Sequence, residues 1–375
     1  MAGIYVHIPF CLQSCHYCDF HFSTSLKTKK RVVNAINQEL VIQKNYLQED
    51  LIQTIYFGGG TPSLIDLESI GSVLQTIRSN FKLSQSVECT IEANPDDINR
   101  QIVEDWYSLG FNRVSLGVQS FRNKDLNYMN RSHTNDQSLK AIRCLRESSI
   151  HDFSIDLIYG YPVLDNQSWI NNLQTAIKFD IPHISSYCMT VEKQTPLYFY
   201  IKNKKYKALN SKTGQEQFLI ARHLLINNGY QHYEISNFSK NGHESKHNQN
   251  YWNKTNYLGV GPSAHSFNGY SRQWNVKNNV SYCNKVESGD TFYTRELLSR
   301  KNTLNEYILT RIRTSRGISK KYVYALMNSL ERDSFDLELS RLANQKLVKF
   351  DNDKILLTEK GMLFADSISE NLFLI

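Results

Sequence analysis

Six segments in the first half of the chain are apolar, β-branched or aromatic almost throughout: GIYVHI (3–8), QTIYFGGG (53–60), VECTIEAN (87–94), NRVSLGVQS (112–120), DFSIDLIYG (152–160) and HISSYCMTV (183–191). Such runs predict strands buried on both faces. Between them the apolar residues recur every three to four positions. In RVVNAINQELVIQKNYL, Val32, Ile36, Leu40 and Leu47 fall near one face, and LESIGSVLQTIRSNF, NRQIVEDWYSLGF, NDQSLKAIRCLRESSI and NQSWINNLQTAIKF read as helices too. Strand starts lie roughly 25 to 50 residues apart, the spacing of βα units. Six units in a row predict an α/β fold with a parallel barrel or part-barrel, a doubly wound open sheet being the alternative.

The rhythm breaks near residue 195. One more helical pattern, GQEQFLIARHLLINNGY, precedes a stretch over 230–280 rich in Asn, His, Tyr and Gly that reads as loops. From about 290 the pattern is that of a small helical module in which LVKFDNDKILLTEKG looks like two strands and a turn, a winged-helix-like arrangement. The chain therefore divides into a barrel (1–195), a linking region (196–285) and a C-terminal domain (286–375). With no excess of Lys or Arg on the candidate recognition helix, that domain reads as a packing module.

Composition narrows the class. The hydrophobic fraction of 41% supports a sizeable core, and no run of apolar residues is long enough for a membrane span. The net charge of +7 includes KTKKR (27–31) and KNKKYK (202–207), which read as solvated faces, so nucleic acid is not expected as a partner. The opening MAGIYVHIPF lacks the cationic start and apolar stretch of a signal peptide. Seven cysteines, four of them scattered, are not a disulfide framework, and the expected compartment is the reducing cytoplasm.

The other three cysteines change the picture. Cys11, Cys15 and Cys18 fall within eight positions, in HIPFCLQSCHYCDF. Three thiolates on one loop can hold three corners of a [4Fe–4S] cube and leave the fourth iron open. Zinc is the competing reading, with His7, His16 or His21 as a fourth ligand. Further along, FGGGTPS (57–63) closes the second strand with glycines that let the backbone approach a ligand. Glu92, Gln119 and Asp156 fall at or near the ends of later strands, where barrel active sites lie, and Arg131 follows in NRSH.

The C-x3-C-x2-C spacing, with Tyr17 before the last cysteine, resembles the radical S-adenosylmethionine (SAM) superfamily. The resemblance implies a partial (β/α)6 TIM-like barrel, a [4Fe–4S] cluster and SAM held on its open iron. IYVHIPFC, IYFGGGTPS, LGVQSF…MNRSH, IDLIYGYP, EYILTRIRTSRGI and LLTEKGMLFAD, in this order, look like the oxygen-independent coproporphyrinogen III dehydrogenase group over nearly the whole chain. By position in those motifs, Tyr5, Gly59 and Glu92 would contact cluster-bound SAM. Tyr17, Gly60, Thr61, Gln119, Arg131 and Asp156 would match the remaining SAM-site positions; one or two SAM molecules are equally compatible.

Three features depart from the dehydrogenase. Phe20 stands where that family has a further cysteine, an N-terminal helical extension is expected to be missing, and HNQNYW (247–252) looks like the motif of HemW-type heme chaperones. That likeness implies heme as a ligand, with His247 as axial ligand, Tyr251 and Trp252 against the porphyrin and Asn248 ordering the loop; His265 is a second candidate. It also implies heme-accepting respiratory proteins and an electron donor as partners, with contact at a membrane surface. A homodimer could shield the cluster. The alternatives are the dehydrogenase itself, which turns two propionates of coproporphyrinogen III into vinyls, and a radical SAM enzyme acting on tRNA.

Overall fold

The computed structural model describes residues 1–48 and 50–374. All six expected strands form: β1 (Ala2–Ile8), β2 (Ile52–Gly59), β3 (Leu83–Ala93), β4 (Arg113–Gln119), β5 (Asp152–Tyr159) and β6 (His183–Cys188). They pair in parallel and in sequence order, each with the next, and helices fill the crossovers. This is the partial (β/α)6 barrel. The unbroken apolar runs have the expected cause: Ile4, Val6, Phe57, Ile91, Val114, Leu116, Ile155 and Leu157 have essentially no solvent exposure.

The helices start where side chains satisfy the first free N–H groups. Asp66 accepts from the Ser69 N–H at 2.9 Å, Asn99 from Ile102 at 3.0 Å and Asp165 from Ser168 at 2.7 Å, while Thr134 and Gln137 form a capping box. The first helix, Lys29–Ile42, stops short of Leu47, and a helix not read from the sequence, Asn123–Met129, lies between β4 and the Asn135–Arg146 helix. Its end matters for the site. Asn130 takes a left-handed conformation (φ 57°), which Asn tolerates better than most residues, and turns the chain so that Arg131 faces inward.

The region read as loops is in fact structured. It contains β7 (Gln231–Glu234), β8 (Asn237–Ser239), a helix (Lys246–Asn253), β9 (Asn256–Val260), β10 (His265–Phe267) and β11 (Ser271–Asn275); β12 (Tyr293–Leu297) follows. These strands extend the same sheet at both edges, giving the order β12-β11-β10-β9-β1-β2-β3-β4-β5-β6-β8-β7. β9 runs parallel to β1, so β1 is an inner strand. Buried Glu39, on the first helix, ties this addition down by accepting from the Gly261 N–H and Asn275 Nδ2, both at 2.7 Å, and from the Tyr282 hydroxyl.

A second hydrophobic core, built on Leu304, Ile308, Ile318, Val323, Phe335, Leu339, Ile355 and Ile368, belongs to the C-terminal module. There β13 (Ile318–Ser319), β14 (Val348–Asp351) and β15 (Lys354–Leu357) form a small antiparallel sheet beside helices, and β14 and β15 are the expected two strands and turn.

One buried ion pair offers a test of the fold. Arg113, almost wholly buried on β4, donates to Asp152 on β5 at 2.6 Å, and Asp152 also meets His243. Removing one partner of a fully buried pair costs about 3–5 kcal/mol. Asp152 is a third exposed and water takes over part of that role. Arg113→Ala should therefore cost about 2–3 kcal/mol, read as a lower denaturant midpoint with unchanged slope.

Candidate functional site

The cysteine loop leaves β1 and is strapped at several points. Cys11 N–H donates to the Ser23 carbonyl (3.1 Å), His16 N–H to the Met129 carbonyl (3.1 Å) and Asn130 Nδ2 to the Ser14 carbonyl (2.7 Å). The helix missed in the sequence is thus what holds the loop. Cys11, Cys15 and Cys18 are all free thiols and line one cavity of about 580 Å³. Donors point at the sulfurs: Thr61 Oγ1 at Cys11 (3.5 Å), Arg131 Nη1 at Cys15 (3.3 Å) and the Phe20 N–H at Cys18.

Burial pushes the Cys11 thiol up and the Cys18 thiol up to about 12. Metal-free Cys11 and Cys18 therefore hold their protons, and loading metal must release them. The donor set fits an iron–sulfur cluster: three thiols on one loop, with N–H and O–H donors aimed at sulfur. It does not favour zinc. None of the candidate fourth ligands, His7, His16 and His21, lines the cavity of the three cysteines. Among the described residues no three His, Cys, Asp or Glu side chains are grouped to hold a single ion.

The strand ends complete the cavity. Tyr17, Gly60, Thr61, Glu92, Gln119, Arg131 and Asp156 line it together with the three cysteines. Glu92 accepts from the Tyr56 hydroxyl at 2.7 Å and from the Gly59 N–H at 3.1 Å. Burial nevertheless pushes it up to about 7, with Asp156 adding to the effect. Burial also lifts Asp156 to about 6, tempered by Ser185 and Arg131. Arg131 donates through Nη2 to Asn94 Oδ1 (2.6 Å) and the Gly117 carbonyl (3.1 Å). Two destabilised carboxylates beside one arginine suit a ligand with both cationic and anionic groups.

Two strand ends near the cavity take a positive φ. Gly59 has φ +107°, and a Cβ there would lie 2.5 Å from the His7 ring, so only glycine lets the loop pass. Gln119 carries a side chain at φ +65°, a left-handed conformation that costs on the order of 1 kcal/mol. It turns the end of β4 into the cavity.

Tyr5 lies one layer deeper. With Tyr56, Thr90, His247, Asn248 and Tyr251 it lines an adjoining cavity of about 270 Å³, which shares Phe20, Glu92, Ser115, Asp156 and Tyr187 with the larger one. Of the HNQNYW residues, His247, Asn248 and Tyr251 share this adjoining cavity. His247 is 1% exposed, and both ring nitrogens are engaged, Nδ1 by the Thr54 hydroxyl (2.8 Å) and Nε2 by the Tyr251 hydroxyl (3.0 Å). Burial lowers it to about 3. Trp252 leaves this group altogether; it lines a separate cavity with Thr314 and Arg316, under the Arg313 guanidinium. His265, exposed on β10, stacks near Trp274 and lines neither cavity of the cysteine site.

Sequence reasoning missed Thr54, Tyr56, Glu88 and Asn94. Thr54 and Tyr56 share a strand face with Gly58, and Glu88 shares one with Glu92, so period-two alternation from the named residues was the available signal.

Comparison with known proteins agrees with this geometry. The profile of the radical SAM superfamily matches residues 5–176, and that of the HemN C-terminal domain matches residues 298–364. Heme chaperone HemW of Lactococcus lactis is 29% identical over 99% of this chain and 97% of its own. Heme chaperone HemW of Buchnera aphidicola subsp. Acyrthosiphon pisum is 30% identical over 98% of this chain and 97% of its own. Among solved structures, coproporphyrinogen III oxidase (HemN) of Escherichia coli superposes with a TM-score of 0.85 over 99% of this chain and 90% of that one, at 22% identity, a likeness of fold.

Proposed function

This chain belongs to the radical SAM superfamily and, within it, to the family of heme chaperone HemW, and on that premise we propose that it binds heme and passes it to heme-dependent respiratory proteins. Cys11, Cys15 and Cys18 would hold a [4Fe–4S] cluster, and Glu92, Gly59, Gly60, Thr61, Gln119, Arg131, Asp156, Tyr5 and Tyr17 would surround SAM. When bound, that pair supplies radical chemistry started by one-electron reduction from a separate donor. The protein's own residues do the rest. Thr61 and Arg131 donate hydrogen bonds to the sulfurs, the paired carboxylates accept a cationic group, and Arg131 offsets their charge.

The observation that carries the reading is the full-length likeness to proteins named heme chaperone, joined to a cavity that Cys11, Cys15 and Cys18 share with Glu92 and Asp156. Phe20 supports it: it is 70% exposed at the mouth of that cavity and offers an apolar ring, not a thiol. Among the described residues no helix is long and apolar enough to cross a membrane, so delivery would be made from outside the bilayer. One anaerobic sample of cluster-loaded protein tests the proposal. Heme titrated by visible absorbance should bind stoichiometrically, and coproporphyrinogen III supplied with SAM and a reductant should not turn over. Turnover without specific heme binding would make the chain the dehydrogenase.

A further inference from the structure

The HNQNYW segment is anchored more firmly than a ligand-capturing loop requires. Its helix, Lys246–Asn253, begins at Ser245, whose hydroxyl accepts from the Asn248 N–H (3.2 Å). The Glu88 carboxylate accepts from both the Lys246 N–H (3.0 Å) and the His247 N–H (2.9 Å), a negative charge placed on the positive end of the helix. Glu88 stands on β3, on the same face as Glu92 and four residues before it. One strand face therefore anchors this helix at one position and contributes Glu92 to the cavity at the next but one.

The imidazole lies between the two. Thr54 Oγ1 accepts from Asn250 Nδ2 (3.0 Å) and hydrogen-bonds His247 Nδ1 (2.8 Å), while His247 Nε2 hydrogen-bonds the Tyr251 hydroxyl (3.0 Å). Held at both nitrogens, the ring stacks on Tyr56 with centroids 4.8 Å apart and planes 21° from parallel. Tyr56 in turn donates to Glu92 Oε1 at 2.7 Å. Gly3 permits the approach: a Cβ there would lie 2.6 Å from Thr54 Oγ1 and 3.2 Å from Asn250 Nδ2.

We propose that His247 is a positioning residue of the SAM site, a wall that fixes the Tyr56 ring and through it the orientation of the Glu92 carboxylate. It rests on the SAM half of the reading above and is independent of the heme half. Heme iron then takes no ligand from His247. The adjoining cavity that His247 lines shares Glu92 and Asp156 with the larger one, which puts the imidazole beside the carboxylates of the SAM site.

A double-mutant cycle on the cluster-loaded full chain tests this, with SAM affinity measured by calorimetry and heme affinity by absorbance. Tyr56→Phe removes the hydrogen bond and should weaken SAM binding about tenfold. His247→Ala should weaken it by a similar factor and leave heme affinity within about twofold. If His247 acts through Tyr56, the double variant should again be about tenfold weaker, not about a hundredfold. Should His247→Ala fail to fold, Tyr251→Phe, which removes only the hydroxyl that His247 Nε2 hydrogen-bonds, is expected to weaken SAM binding about threefold with heme binding unchanged.

Full additivity in the cycle overturns the proposal. So does a His247→Ala protein that loses heme affinity while its SAM affinity is unchanged, and so does a wild-type protein that binds no SAM. A wild-type protein that binds SAM but no heme refutes the heme-carrier reading and leaves the cycle to decide the role of His247.

Discussion

Alanine in place of Cys11, Cys15 or Cys18 should leave a folded protein that cannot hold an iron–sulfur cluster. Each thiol lies in the cavity wall rather than in the hydrophobic core, and the loop is fastened by backbone hydrogen bonds at Cys11, His16 and Ser14 that do not use the sulfurs. Losing one of three thiolate ligands leaves a second iron without a protein ligand. After anaerobic reconstitution, iron and sulfide content and the broad visible absorbance should fall to background in each single variant, while the melting temperature of the metal-free protein moves by no more than a few degrees. A single variant that retains a full cluster would show that another side chain supplies the ligand and would remove the basis of the site.

The second large effect concerns charge. Glu92 sits at about 7 because burial disfavours its ionised form, and a cationic ligand group favours that form. The sign follows. Below pH 7 the carboxyl is protonated and a cation must displace the proton, so SAM should bind more weakly, by up to about tenfold for each unit of pH. Above pH 7 the carboxylate is already ionised and affinity should level off. Asp156, at about 6, adds a smaller step at lower pH. Glu92→Gln should weaken SAM binding at pH 8 by about 10- to 100-fold, the worth of a hydrogen bond to a charged group, and should abolish the step near pH 7. Equilibrium dialysis of labelled SAM between pH 6 and 8.5 measures both, and an unchanged step in Glu92→Gln would assign the titration to another group.

Most of the barrel was legible because its strands are buried on both faces and carry an unbroken apolar signal. Glu92, Gln119 and Asp156 could then be placed at strand ends by counting along those runs. The region from 231 to 297 was illegible for the opposite reason. Its strands are three to five residues long and rich in Asn, Ser, Gln and Arg, whose burial depends on distant partners such as Glu39. The surroundings of HNQNYW were hidden for the same cause. A polar hexapeptide reads as a solvent-facing loop, whereas Glu88 and Thr54, some 160 and 190 residues earlier, satisfy its polar groups in the interior. Arg131 was found by motif, but the short helix that aims it was not, because Asn123–Met129 is too brief to show a helical period.

The inner position of β1 has a consequence for biogenesis. The strand that launches the cysteine loop is made before both of its neighbours, and one of them, β9, is reached only roughly 250 residues later. At about 5–20 residues per second, a ribosome takes on the order of 10–50 s to supply it. During that interval the thiols are already outside or nearing the exit tunnel, while the edge of β1 beside them is unpaired. A nascent chain at this stage offers reactive sulfur to any oxidant or stray metal in its surroundings. Iron–sulfur assembly is therefore best timed after release, when the late strands have docked, and oxygen exposure during synthesis should lower the yield of loadable protein more than the same exposure of the finished chain.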